Sequence, residues 1–248
     1  MEANIGFYVA LCLTLVSVAA LLYFIYRKDE LKPEPVAALL ITCVIGAVGG
    51  AVGNIVDVWS GVENIYRMTT PMDLLPTLWR ACVEAAPDSL LQVAILLVAM
   101  WRNKYFDEQM DGVVYAVFIA MGYILGRNIL YLYPETDSVF TIGVMRSMLL
   151  VPIYYFCGVV MGYYYSRLRF RYPRHLVGDV TLLLVVPFLC RVVLDTTLLR
   201  LDIRATLAEG ILMTIFLIFL VFFFMHYTLQ RIESLFGRDE QRGMGRIK

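Results

Sequence analysis

The sequence predicts an all-α fold, a polytopic membrane bundle of about seven transmembrane helices. Apolar residues make up 60% of the chain and charged residues only 17%, whereas soluble domains are about half apolar and about a quarter charged. Apolar runs of about 20 residues, long enough to cross a hydrocarbon core of about 30 Å, recur along almost the whole chain. We therefore expect one transmembrane helical domain, residues 1–230, and a short basic cytoplasmic tail, residues 231–248.

The apolar runs place the spans in order along the chain. They cover residues 5–26, 36–58, 75–101, 112–133, 141–165, 178–199 and 208–229, each boundary set to within several residues. The first run has neither a basic segment before it nor a small-residue cleavage pattern after it, so we expect it to remain as a helix. The second run is rich in glycine, which is typical of a helix that packs against its neighbours instead of facing lipid.

Basic residues predict the orientation of the bundle. Fourteen of them lie in the loops after spans 1, 3 and 5 and in the tail, against four in the alternate loops. Because loops rich in lysine and arginine stay in the cytoplasm, we expect the amino terminus outside and the carboxyl terminus inside. The formal net charge of zero argues against a nucleic-acid partner.

Charged residues inside the predicted spans mark a candidate site, since each is costly in lipid unless it is paired or hydrated. At a rise of about 1.5 Å per residue they gather in one layer of the outer half of the membrane. We expect Arg191 to pair with Asp195 four residues along the same helix, and Glu84 to pair with Arg127 across spans 3 and 4. The layer is either a structural ion-pair cluster or a functional polar cavity. Its members are Glu84, Asp88, Arg127, Arg146, Arg191 and Asp195.

Four segments, in order, resemble the PrsW family of intramembrane metalloproteases and cover most of residues 26–199. They are RKDELKPEP at 27–35, FDEQMDGVVYAVFIAMGYILGRNILYLY at 106–133, RSMLLVPIYYFCGVVMGYYYSR at 146–167 and PFLCRVVLDTTL at 187–198. The resemblance implies a multi-pass protein of a bacterial cytoplasmic membrane. It also implies a metal site built from glutamates and histidines on several helices, and a theme of cleaving membrane-anchored regulators such as anti-sigma factors.

The family's site positions hold different residues in this chain. The EExxK motif reads Glu84-Ala85-Ala86-Pro87-Asp88, the FxxxE motif ends in Arg127, the first histidine aligns with Tyr154, and the HxxxD motif runs from Arg191 to Asp195. Only Glu84 and Asp195 keep the family's residue. Because two guanidinium groups repel a divalent cation, we expect no intact catalytic set, no bound metal and no other cofactor. Zinc is expected only if this interpretation of the arginines is wrong.

These substitutions predict a catalytically inactive PrsW-like protein that binds or scaffolds membrane proteins or peptides. The first alternative is a divergent but active intramembrane protease, in which Glu84 and Asp195 share a proton. A further alternative is a transporter or lipid-binding protein that uses the charged layer as a substrate site. The partners expected are membrane lipids and a membrane-protein client, and the sequence gives no oligomeric state.

Overall fold

The computed structural model describes residues 2–29, 34–59, 74–101, 105–132, 150–170 and 176–204, with scattered residues between 215 and 233. These residues form helices and no strand, which confirms the all-α prediction. The long helices are α1 (Glu2–Lys28), α2 (Val36–Trp59), α3 (Leu74–Met100), α4 (Gln109–Leu132), α5 (Val151–Phe170) and α6 (Leu176–Arg204). Five of them begin and end within five residues of a predicted span. Residues 141–149 and most of the predicted seventh span lie outside the described residues.

Five of the described helices, α1 to α4 and α6, are long and apolar enough to cross a membrane. The remaining helix, α5, is less apolar because it carries five tyrosines. Most of its side chains are buried against other helices, and a helix enclosed by protein needs no lipid-compatible surface. The orientation of the termini stays a prediction.

Glycines bring the backbones of α2, α4 and α5 into direct contact. A β-carbon on Gly122 of α4 would overlap the backbone carbonyl oxygen of Cys43 in α2. Gly158 and Gly162 of α5 make similar close approaches to the α4 backbone. Without a hydrophobic driving force between helices in lipid, small residues at such contacts supply the packing. The predicted close packing of the second helix is seen on this glycine face, but the prediction that it does not face lipid is wrong, because Leu40, Val44 and Val48 on α2 are exposed. The glycines at the α2–α4 contact, four residues apart on each helix, are Gly46, Gly50, Gly122 and Gly126.

We expect Gly122→Ala to lower the free energy of unfolding by about 1–3 kcal/mol, the usual cost of overpacking. The added methyl group meets backbone atoms, which cannot rotate away as a side chain can. The matched control is Gly178→Ala in the first turn of α6, where no described atom lies within 4 Å of the added carbon. It should leave stability unchanged or raise it by up to about 1 kcal/mol, because alanine favours helix. Thermal unfolding in detergent measures both variants, and equal losses would contradict the close contact.

Helix α4 carries polar groups at two levels of the bundle. Asp111 lies in its first turn and Arg127 in its last two turns, and both side chains are buried. Sixteen residues separate them, which corresponds to about 24 Å along a helix axis. The two levels are therefore separate sites.

Candidate active site

Asp88 on α3 is the centre of the buried charge layer. Its carboxylate forms ion pairs with Arg127 of α4 and Arg191 of α6. It also accepts a hydrogen bond from the hydroxyl group of Tyr123 at 2.5 Å. The Asp88 side chain is only 1% exposed, and those of the two arginines are 7% exposed or less. Charges this deeply buried need such partners, because each would otherwise lose its hydration without compensation.

Helix α2 shapes the space in which these groups meet. Gly53 leaves room for the hydrogen bond, since a β-carbon there would lie 2.5 Å from the Tyr123 hydroxyl oxygen and 3.1 Å from Oδ1 of Asp88. Asn54 donates a hydrogen bond of 2.9 Å from its Nδ2 to the backbone carbonyl of Arg127. Tyr123 and Arg127 are four residues apart, so both side chains leave the same face of α4.

An aromatic side chain fixes the plane of the Arg191 guanidinium group. Its central carbon lies 4.8 Å from the centroid of the Tyr154 ring of α5, within the range of a cation–π contact. The Tyr154 ring in turn stacks on Tyr123, with centroids 6.1 Å apart. The buried Nη1 of Arg191 has no hydrogen-bond acceptor in the described part of the chain. Arg191 therefore offers a positioned, charged donor beside the acids of the layer.

Two further acids lie next to these ion pairs. Glu84 is one turn before Asp88 on α3, and Asp195 is one turn after Arg191 on α6. The negative charges of Glu84 and Asp195 repel each other, and Asp195 is attracted by both arginines. The buried Oδ2 of Asp195 accepts no hydrogen bond from any described residue. The Arg–Asp–Arg triad carries a net charge of +1, and the two acids lie beside it.

A cleft of about 300 Å³ between α2 and α3 reaches Asp88, and its walls include Gly53, Pro87 and Leu91. Pro87 lies inside α3 and has no backbone N–H, so it removes one hydrogen bond of the helix beside Glu84. The cleft lies beside the charged layer, and Asp88 is the charged residue among those that line it.

The structure assembles most of the predicted layer but changes its pairing. Glu84, Asp88, Arg127, Arg191 and Asp195 lie together, whereas Arg146 is outside the described residues. The predicted pair of Arg191 with Asp195 is wrong, because Arg191 reaches across the α3–α6 contact to Asp88. Arg127 of α4 also pairs with Asp88, an ion pair that the sequence did not predict, and the predicted pair of Glu84 with Arg127 stays a prediction.

Sequence reasoning missed three contributors to the layer, Tyr123, Gly53 and Asn54. The spacing of Tyr123, four residues before Arg127, was a usable signal for the first of them. At the position of the family's second glutamate, Ala85 is fully buried and packs with Ala81 and Val192 in an apolar contact between α3 and α6.

Comparison with known proteins decides the family. The sequence model of the PrsW family of intramembrane metalloproteases matches residues 34–226. The chain belongs to the PrsW family. Protease PrsW of Bacillus subtilis (strain 168) is 29% identical over 171 residues, which cover 68% of this chain and 73% of that protein. Protease PrsW of Clostridioides difficile (strain 630) is 25% identical over 150 residues, 60% of this chain and 61% of that protein. The chain thus matches about three fifths of the latter's length, and no solved structure matches.

Membership of the PrsW family, together with the apolar helices, makes this a multi-pass bacterial membrane protein. The prediction of a catalytically inactive binding or scaffold protein is wrong, because its curated relatives in this family are named as proteases. That prediction assumed that a site without its metal ligands has no catalytic activity. Two carboxylates remain at the site, and guanidinium groups stand beside them.

The residues at the PrsW site positions do not fit a divalent metal ion. Both oxygens of Asp88 bind guanidinium groups, Tyr154 lies under a guanidinium group, and Ala85 has no donor atom. Two fixed cations would repel a third. Among the described residues, the group of ligand-type side chains close enough to share an ion lies elsewhere, at Glu34, Asp107 and Asp111. The groups of the charged layer that are available for acid–base reactions are therefore its own side chains.

Proposed function

We propose that this chain is an intramembrane peptidase that hydrolyses a peptide bond in a membrane-anchored substrate, with Glu84 and Asp195 as its acid–base pair. The observation that carries the proposal is the pair of mutually repelling carboxylates on α3 and α6, beside a triad of net positive charge. A carboxyl pair that holds one proton provides an acid and a base at the same time. The names of the curated relatives support a protease.

The reaction balances with one water molecule. The ionised carboxylate takes a proton from water as the water oxygen bonds to the carbonyl carbon, and the protonated partner gives its proton to the carbonyl oxygen. The product of this first step is a tetrahedral diol. In the second step the carboxyl group that accepted the proton from water donates it to the amide nitrogen, and the C–N bond breaks. The other carboxylate accepts a proton from a hydroxyl group of the diol. A new carboxyl end and a new amino end leave, and the pair again holds one proton.

In this reaction Arg191 is placed to stabilise the oxygen on which negative charge develops. Its guanidinium group is held by Asp88 on one side and by the Tyr154 ring on the other, and its Nη1 is available as a donor. A charged donor fixed before the reaction stabilises the transition state without any cost of reorganisation. The arginine thus polarises the substrate carbonyl group, as a metal ion does in metalloproteases.

The test is cleavage of fluorogenic transmembrane peptides by the purified full chain in lipid vesicles, with and without a strong zinc chelator. We expect cleavage that the chelator leaves unchanged and that the double variant Glu84→Gln/Asp195→Asn slows on the order of 10²–10⁴-fold. The matched control is Asp179→Asn, which changes an aspartate of the same helix α6 in an ion pair with Arg167. Cleavage that the chelator stops and zinc restores would contradict the side-chain mechanism, as would full activity in the double variant.

A further inference from the structure

A second acidic cluster lies at the opposite end of α4 from the charged layer. One carboxylate oxygen from each of Glu34, Asp107 and Asp111 lies within 4.8 Å of the others. Glu34 precedes α2, Asp107 precedes α4, and Asp111 lies in the first turn of α4. Glu34 belongs to one of the segments that resemble the PrsW family, and Asp107 and Asp111 belong to another. The proposed peptidase reaction uses none of these three residues.

The chain itself fixes the geometry of this cluster. Oδ2 of Asp111 accepts hydrogen bonds from the backbone amides of Asp107 at 2.9 Å and Glu108 at 2.6 Å. The hydroxyl group of Tyr115 donates a hydrogen bond of 2.5 Å to Oε2 of Glu34. The carboxylates are therefore held together by their surroundings, although like charges at this distance repel.

Asp111 provides an independent sign that a ligand belongs here. It is fully buried, and its second oxygen, Oδ1, meets no hydrogen-bond donor in the part of the chain that the structure describes. The carboxylates of Glu34 and Asp29 lie close enough to repel it further. A buried carboxylate oxygen without a donor is costly, and a cation bound by several carboxylates removes that cost.

We propose that Glu34, Asp107 and Asp111 bind a divalent cation of the hard class, such as Ca²⁺, Mg²⁺ or Mn²⁺. The three side chains offer only oxygen atoms, the donors that these ions prefer over the nitrogen and sulfur ligands of zinc sites. Asp107 is exposed, which gives the ion access and leaves room for water ligands. The bound ion joins the segment before α2 to the first turn of α4, and it stabilises that end of the bundle.

Mn²⁺ is the probe, because the free ion is measured directly by electron paramagnetic resonance. The purified full chain is freed of metal with a chelator, titrated with Mn²⁺, and then challenged with Ca²⁺ and Mg²⁺. We expect saturable binding, competition by at least one of the two ions, and a rise in the thermal unfolding midpoint on binding. Proteolysis is not part of the readout, so the result is independent of the proposed peptidase function.

Asp107→Asn tests the site without disturbing a buried side chain. It should weaken Mn²⁺ binding at least about tenfold. Removing a residue that only hydrogen-bonds to a metal ligand already costs about this much, and Asp107 is proposed as a ligand itself. Glu108→Gln is the matched control, since it removes the same charge from the neighbouring residue, which is not in the group. Glu108→Gln should bind as the unmodified protein does. Absence of saturable Mn²⁺ binding in the unmodified chain, or equal binding by the Asp107→Asn variant, would overturn the proposal.

Discussion

Replacing Asp88 by asparagine is expected to lower the free energy of unfolding by about 3–5 kcal/mol, the usual result of removing one partner from a buried ion pair. The variant keeps the size of the side chain but removes the only charge that the structure shows bound to both Arg127 and Arg191. Two buried guanidinium groups would then face each other without a carboxylate between them. Equilibrium unfolding in mixed detergent micelles measures the loss.

Asp179→Asn is the matched control for this prediction. Asp179 also pairs with an arginine, Arg167, at 3.1 Å, but 20% of that arginine side chain is exposed. The Asp179 side chain is 10% exposed, so this pair is better hydrated than the triad, and Asp179→Asn should cost less than Asp88→Asn, about 1 kcal/mol. A second comparison removes the three charges of the triad, in Asp88→Leu/Arg127→Met/Arg191→Met, and should recover part of the stability that Asp88→Asn loses, while Glu84 and Asp195 keep theirs. Equal losses for Asp88→Asn and Asp179→Asn would contradict the buried triad.

The fold was predictable because membrane thickness fixes the length of each apolar run. The bounds of α1 to α4 and of α6 follow from that length alone, without knowledge of which helices touch. The glycines of the second span predicted a close contact, but not its partner. The partner is α4, whose Gly122 and Gly126 approach the α2 backbone closely. In the sequence alone, these two glycines are equally compatible with a helix that faces lipid.

The composition of the charged layer was predictable, but its pairing was not. Spacing shows that Arg191 and Asp195 share a face of one helix, yet it does not show how α3 is rotated and shifted against α6. Glu84 and Asp88 lie one turn, about 5.4 Å, apart on α3. The spacing therefore does not show that Asp88 pairs with both arginines, because packing between the helices sets how α3 is shifted against α4 and α6.

The Asp88–Arg127 pair also explains two of the departures from the family motifs together. Asp88 stands where the EExxK motif has its lysine, and Arg127 stands where the FxxxE motif has its glutamate. The structure places these two side chains in an ion pair, so two departures that lie far apart in the sequence are in contact in the fold. Read one at a time from the sequence, the same two changes suggest only the loss of a site.

Glu84→Gln and Asp195→Asn are each expected to slow peptide cleavage on the order of 10²–10⁴-fold, the contribution of a positioned general acid or base. Each amide keeps the shape of the side chain but can neither hold nor release the shared proton. Cleavage rates in vesicles measure the effect, and thermal unfolding of the same preparations shows that the fold is intact.

The double variant decides whether the two acids act as one unit. If they share one proton, removing either ends the same step, so the double variant should be no slower than the slower single variant. If the two losses multiply instead, Glu84 and Asp195 serve separate steps, and the repulsion between them is incidental to catalysis. Non-additivity would therefore tie the rate to the electrostatic contact between Glu84 on α3 and Asp195 on α6.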